Sequence, residues 1–417
     1  MKHGVYILEE GTALTAPIIG SSSIQVVIGT APVHMIKDPA AAVNVPILAN
    51  SAAEAMAALG YVDDFANFTL CQTMYATNNL FQVSPVVYIN VLDPAKHNKA
   101  MTTGSVEVEL LQARITEKGV IPSMLTLQNG DQTLAAGTDY TTEFDTDGSL
   151  LINLINGGKG QGAQTLTVSG KVVDPSAVTK TDIIGSYNVE NGKETGMELI
   201  RQVYPKLGVV PGLLLAPGWS QEPEVGIALA AKAANINGVF KAMAIIDLDT
   251  ATATKYTDVK EVKENSGFTS EFCYPLWLSF RVGDYIFAGS AVAAALIAYT
   301  DANNDDVPSI SPSNKLLGVT GTCLADGTEV NLDQDQANVV NSYGVATAMN
   351  MNGWKLWGNY TGAYPSSQDP KDIWFPVRRM FNWQGNNFIL SYFDKVDDPM
   401  NQILIESVVD SANIRCA

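Results

Sequence analysis

Two hydrophobic textures divide the chain. Ile24–Thr30, Pro85–Leu92, Val210–Ala216 and Ala242–Leu248 are continuous apolar runs, the pattern of strands covered on both faces. Helical segments lie between and after them. Ser51 opens one, with Glu54 three residues on in a capping-box pattern and Gly60 closing it. Asp64–Leu80 reads as a second helix and Glu194–Tyr204 as a third. Ser220, with Pro223 in the first turn, opens another that ends near Asn237-Gly238. Thr252–Asn265 is amphipathic, and Gly289–Tyr299 is a helix of small residues. Buried strands alternating with helices predict an α/β fold with a parallel sheet covered on both faces.

Residues 101–176 break that rhythm. Ser105–Arg114, Val120–Gln128, Tyr140–Phe144, Ser149–Ile155 and Thr165–Val173 alternate apolar and polar positions, with Asn129-Gly130 and Asp147-Gly148 as turn dipeptides. No helical period appears there, so the block reads as an inserted all-β sandwich or barrel. The strands on either side of it belong to one α/β core, 21–100 and 177–310. Residues 1–20 read as an arm, with weak strand character over Gly4–Glu9 and then Gly11, Pro17 and Gly20. A third region, 311–417, is α+β and opens on Ser311-Pro312-Ser313-Asn314. Trp354, Trp357, Trp374 and Trp383 cluster in it, and a last helix starts at Asp398-Pro399 with the acid as N-cap.

Charge narrows the function classes. Of 417 residues, 25 are Lys or Arg and 43 are Asp or Glu, for a net charge of −18. That balance argues against a groove tracking nucleic-acid phosphates. Only 16% of residues are charged, below the quarter or so usual for soluble domains, which suggests that much of the surface becomes interface. Residues 1–10 carry Glu9 and Glu10 and no long apolar run, so no signal peptide is expected. The apolar run Ile286–Tyr299 is too short to span a bilayer, so no membrane anchoring is expected. Cys71, Cys273, Cys323 and Cys416 fit no zinc or redox spacing and read as isolated thiols.

Catalytic chemistry is sparse. Histidine occurs at 3, 34 and 97, all far in sequence from the best candidate nucleophile, Ser290, in AGSAVAAAL. A serine nucleophile needs a histidine within hydrogen-bond reach, and capping of a tightly packed helix is the plainer role for Ser290. Asp247 and Asp249 stand at a strand end, where α/β sheets place sites, although loop capping explains them. Asp301–Asp306 begins like a calcium loop, but Asp306 replaces the required Gly and Pro312 the closing Glu, leaving a solvated acidic turn. Gly157–Gly162 lacks the P-loop Lys-Ser/Thr and reads as a hairpin tip. Arg378-Arg379 is a basic pair in an acidic region, either helix-surface charge or a spot for an acidic partner. No catalytic, cofactor-binding or metal-ligating residue is assigned.

Several stretches together resemble the tail sheath proteins of contractile phage tails and R-type bacteriocins. They are HGVYILEE at 3–10, GMELIRQVYPKLGVVPGLLLAPGWS at 196–220, AMAIIDLD at 242–249, FAGSAVAAALIAYTDANNDDVPSISPSNKLL at 287–317, GWKLWGNYT at 353–361, VRRM at 377–380 and DDPMNQILIESVVDSAN at 397–413. GTDYTTEFDTDGSLLI at 137–152 resembles the protruding β-domain of many sheaths. The resemblance implies a subtilisin-like core without protease activity. It implies self-assembly into hexameric rings stacked helically around a tail tube protein, with baseplate and terminator proteins as further partners, in a virion tail or injection particle. It implies contraction that drives the tube through a cell envelope. It further implies that terminal arms add strands to neighbouring subunits, which assigns the arm strand to Val5, Tyr6, Ile7 and Leu8. Trp354, Trp357, Arg378 and Arg379 are the expected interface residues of the C-terminal region. Sheaths of this kind continue several dozen residues beyond the equivalent of Ala417, so the C-terminal domain is expected to be incomplete here. Two alternatives stand beside this reading: a subtilisin-like serine hydrolase using Ser290, and an adhesin or receptor-binding module in the β-insertion.

Overall fold

The structure, a computed structural model, describes residues 21–397 together with 402, 405, 406, 408–410 and 413. The first apolar run forms the strand Gln25–Gly29, buried at every position. It lies within a six-stranded sheet whose spatial order is Cys273–Leu276, Met243–Asp247, Leu213–Leu215, Gln25–Gly29, Val86–Asn90 and Pro46–Ala49. The first five strands are parallel and Pro46–Ala49 is antiparallel. Helices Thr69–Tyr75, Pro223–Ala234 and Gly289–Ala302 pack against this sheet. Nearly all of Gly289–Ala302 is buried, as its run of alanines allows.

The helix Ala52–Leu59 starts on Ser51, whose hydroxyl accepts the Glu54 N–H at 3.3 Å, and stops at Gly60 with φ 76°. Other elements differ from the sequence expectation. The helix expected from Asp64 starts at Thr69, because the Asp64 carboxylate accepts the Asn67 N–H and closes a separate turn. The stretch expected as helix over 194–204 is a 3-10 segment, Gly196–Gln202, followed by a short helix, Val203–Leu207. The amphipathic helix begins only at Val259, since Asp249 accepts from Ala251 and Thr252 and folds the preceding residues into turns. The alternating run 105–114 is a hairpin, Ser105–Glu109 with Gln112–Ile115. Leu110 and Leu111 turn it with φ 51° and 66°, a conformation that Asn-Gly usually supplies.

In the β-block, seven antiparallel strands follow the spatial order Gln132–Thr133, Thr126–Asn129, Thr165–Ser169, Ser105–Glu109, Gln112–Ile115, Leu150–Leu154 and Tyr140–Phe144. It has its own apolar core, including Ile115, Leu127, Leu150, Ile152 and Leu166. Its two connections to the rest of the chain run side by side, as Asn98–Ala100 pairs antiparallel with Lys171–Val173. Ile121 and Val173 pack into the larger core instead, and the Phe144 ring meets His34 edge-on at 5.6 Å.

Residues beyond 310 cover the sheet's open edge. Trp277 N–H donates to the Ala346 carbonyl, Ala346 N–H to Pro275, and Gly362 N–H to Cys273. Three helices here were not expected from the sequence: Gln334–Ser342, opened by an Asp333/Gln336 capping box, the short Pro370–Ile373, and Phe375–Tyr392. The last helix, expected from Asp398, lies mostly outside the described residues; the described positions between 402 and 413 are helical. Lys263 fastens this region to the core. Its ammonium, buried, donates to the carbonyls of Tyr343 at 2.8 Å and Tyr364 at 2.6 Å.

Two predictions follow from this architecture. Replacing 101–170 by a short Gly/Ser bridge should leave a cooperatively unfolding domain with its helical circular dichroism intact; an unfolded product would refute the separation of the two cores. Burial pushes the Lys263 ammonium down to about 8, against 10.5 for a free side chain. Between those values the folded protein binds fewer protons than the unfolded chain. The contribution of this group is therefore smallest below pH 8 and grows as pH rises toward 10.5. Wild type measured against Lys263→Met by urea unfolding should gain relative stability from pH 8 to pH 10, and a flat difference would contradict this assignment.

Candidate functional site

Asp247 ends its strand at the carboxyl edge of the sheet, where open α/β sheets place ligands. Its side chain turns inward. Oδ2 accepts from Ser290 Oγ at 2.5 Å and from Ser220 Oγ at 3.1 Å, while Oδ1 accepts the Ser290 N–H at 2.7 Å. The Asp247 N–H donates back to Ser220 Oγ at 3.0 Å. Burial lifts the carboxyl above the usual carboxylate range, against these donors, which favour the charged form. Gly289 is required beside it: a Cβ there would lie 2.6 Å from the Leu278 carbonyl oxygen. Asp249 caps the next loop. A cleft of about 470 Å³ opens at this sheet edge, lined by Asp63, Asp64, Asp249, Asp284, Gln72 and Tyr285 among others.

The histidines lie elsewhere. The His34 ring packs between Phe68 and Phe144, and burial pushes it down to about 3. His97 Nδ1 accepts the Asp93 N–H at 3.0 Å, and Nε2 stands 3.9 Å from Asp182. His3 lies outside the described residues. Ser290 Oγ thus has no histidine beside it among the described residues, donates only to Asp247, and is wholly buried, so nothing in the site presents it as a nucleophile. Cys71, Cys273 and Cys323 are free and buried, and burial pushes the first two thiols up to about 12. Among the described residues, no group of three or more His, Cys, Asp or Glu side chains is placed to hold a metal ion. Among those residues, no helix is long and apolar enough to cross a membrane.

A second polar cluster overturns the reading of Arg378-Arg379 as an exposed basic spot. Both side chains are buried, on the inner face of Phe375–Tyr392. Arg379 makes a bidentate pair with Asp301, reaching Oδ1 at 3.1 Å and also Oδ2, and its Nη2 lies 3.5 Å from the Ser22 carbonyl. Ser22 Oγ donates to Asp301 Oδ2 at 2.6 Å. Arg378 reaches Asp372 at 3.3 Å and lies over the rings of Phe272 and Phe381. Asp301 is therefore no part of a solvated turn, since its side chain is wholly buried. The local sequence could not show this, because the acid and the base are far apart in the chain.

Trp354 and Trp357 sit half-buried on the strand Trp354–Trp357, with their indole N–H groups donating to Thr320 and Asn338. That strand pairs with Thr347–Asn350 on one side, and on the other it exchanges hydrogen bonds with backbone at 314–317. The far edge of Thr347–Asn350 has no strand partner among the described residues. Val5, Tyr6, Ile7 and Leu8 lie outside the described residues.

This fold is shared with the sheaths of contractile injection systems. A chain in the cryo-EM structure of the anti-feeding prophage baseplate superposes with a TM-score of 0.54 at 14% identity, over 100% of this chain and 82% of that one. The crystal structure of a sheath tail protein from Listeria innocua gives 0.54 at 11% identity, over 95% and 84%. In sequence, the tail sheath protein of Burkholderia phage BcepMu is 28% identical over 428 residues, covering 99% of this chain and 85% of the relative. The tail sheath protein of Escherichia phage P2 is 26% identical over 57% of this chain and 58% of its own length. No family model matches the chain. The resemblance to contractile tail sheath proteins is borne out along the whole chain. The α/β class also holds, as a mixed fold with sheets like those of sheath structures.

Removing one member of a buried ion pair costs about 3–5 kcal/mol, since the other charge is left unpaired. Arg379→Met should therefore lower the urea midpoint of the folded chain sharply. Asp247→Ala should cost a comparable amount by stranding two hydroxyls and an N–H, each worth about 1–3 kcal/mol when left buried and unmet. A wild-type midpoint for either variant would show that the site is not closed as described.

Proposed function

We propose that this chain is the structural subunit of a contractile tail sheath. It assembles helically around a tail tube and contracts to drive that tube through a target envelope. The observation that carries the reading is the full-length match to a phage tail sheath protein together with a fold shared with sheath structures. In this reading hexameric rings stack into the sheath, in contact with tube, baseplate and terminator proteins, within a virion tail or injection particle. The core is a subtilisin-like α/β domain that has kept the architecture and lost the chemistry; the closed Ser290–Asp247–Ser220 cluster supports this. The chain is accordingly no enzyme. The 101–176 block is a protruding inserted domain, supported by its own core and paired connections.

Neighbouring copies are linked by the arm strand Val5–Leu8. An unpaired strand carries unmet backbone donors and acceptors, which a sheet edge can satisfy. Negative-stain microscopy of the purified chain tests the class, with tubes or stacked rings expected; monomers at all concentrations would overturn it. Deleting residues 1–12 should abolish long tubes and leave monomer melting nearly unchanged. Tyr6→Pro or Leu8→Pro should act alike by removing a ladder donor. Full-length tubes from the arm-less protein would sink the linkage.

A further inference from the structure

The segment that emerges from residues 1–20 enters the fold at Ser21–Ser23, and the chain leaves through Phe375–Tyr392. These two places are one place. The Ser22 carbonyl lies within reach of the Arg379 guanidinium on one side. On the other it is pressed against Gly212, where a Cβ would stand 2.0 Å from that oxygen. Ser22 Oγ and Arg379 meet on the same Asp301 carboxylate. Further along the same face, Asn382 Nδ2 donates to the Ala242 carbonyl at 3.1 Å. Asn386 exchanges hydrogen bonds with the Lys241 backbone at 2.9 and 2.7 Å. The helix is thus stitched to the core at three levels, and the buried level also grips the root of the arm.

We propose that the Ser22–Asp301–Arg379 bridge is a positioning device that couples the two ends of the chain. It holds the exit of residues 1–20 in fixed register with the C-terminal helix. A pull on the arm then passes into that helix and into Gly289–Ala302, and not along the single strand Gln25–Gly29 alone. This role in transmitting tension between copies rests on the sheath reading; the coupling itself does not. A buried ion pair suits such a task. Its directional contacts fix one geometry, whereas apolar replacements of like volume can keep stability without fixing it.

The experiment separates coupling from stability in the full-length chain. Asp301→Leu with Arg379→Met replaces both charges by apolar groups, and melting should stay within a few degrees of wild type. Amide hydrogen exchange should then rise at least about tenfold at 21–24 and at 375–386 together, with the strands at 213–215 and 243–247 unchanged. Unchanged exchange, or a rise on one side only, overturns the coupling. If the double variant does not fold, Ser22→Ala combined with Arg379→Lys removes the Oγ bond and the bidentate fork while keeping the charge, and the same readout decides. Tube assembly gives the second arm. Wild type forming long tubes while the double variant forms short or irregular ones supports the mechanical role. Equal tubes overturn it, and absence of tubes from wild type overturns the sheath reading while the exchange data still judge the bridge.

Discussion

Parallel strands cannot be joined by a tight turn, and this constraint shapes the molecule. The strand Gln25–Gly29 takes Val86–Asn90 and Leu213–Leu215 as its parallel neighbours, so each connection between successive parallel strands must run back across the sheet. Such crossovers can carry a covering helix, as Pro223–Ala234 lies between Leu213–Leu215 and Met243–Asp247, or much more. One of them, between Val86–Asn90 and Leu213–Leu215, carries the whole β-block. The block enters and leaves through the adjacent strands Asn98–Ala100 and Lys171–Val173, so the sheet register does not depend on what the connection contains.

A buried sheet also needs its helices held without water. Gly289–Ala302 has little amphipathic guidance, being apolar on nearly all sides, and its position is set at its ends. At the N-terminus the Asp247 carboxylate takes the Ser290 N–H, matching the positive end of the helix dipole. At the C-terminus Asp301 lies inside the last turn, where an acid is unfavourable alone, and the Arg379 guanidinium compensates it. Two buried carboxylates therefore fix one helix between the sheet and the C-terminal region. Each is satisfied by partners distant in sequence, so the polar cost is met only when the whole chain has folded.

That dependence explains what could be read from the sequence. The strands at 25–29, 86–90 and 243–247 were legible because continuous apolar runs report burial on both faces. Ser51 and Gly60 marked their helix because caps are local chemistry. The helix at 375–392 is hard to read in the sequence, with Asn382, Gly385, Asn386 and Asn387 diluting its period, since Asn382 and Asn386 serve long-range contacts. The start of the 259–266 helix slipped because Asp249 and Asp258 compete for the preceding backbone. Arg379 was misjudged for the same reason: a lone basic pair among acids looks exposed until the fold brings Asp301 to it. Asp247 was located at its strand end, but nothing nearby showed that Ser220 and Ser290 would converge on it.

The Ser290 cluster bears on function through its burial and its partners. A hydrolase would leave the serine proton to a neutral base and keep the oxygen facing a substrate. Here no histidine stands beside the hydroxyl among the described residues, the side chain is wholly buried, and the glycine before it is pressed against backbone. Opening that site would break the contacts that hold the helix. In this chain the polar cluster at the sheet edge acts as a staple for the helix that starts at Gly289. This chain places two buried carboxyl groups, Asp247 and Asp301, at the two ends of the helix that joins the sheet to the C-terminal region.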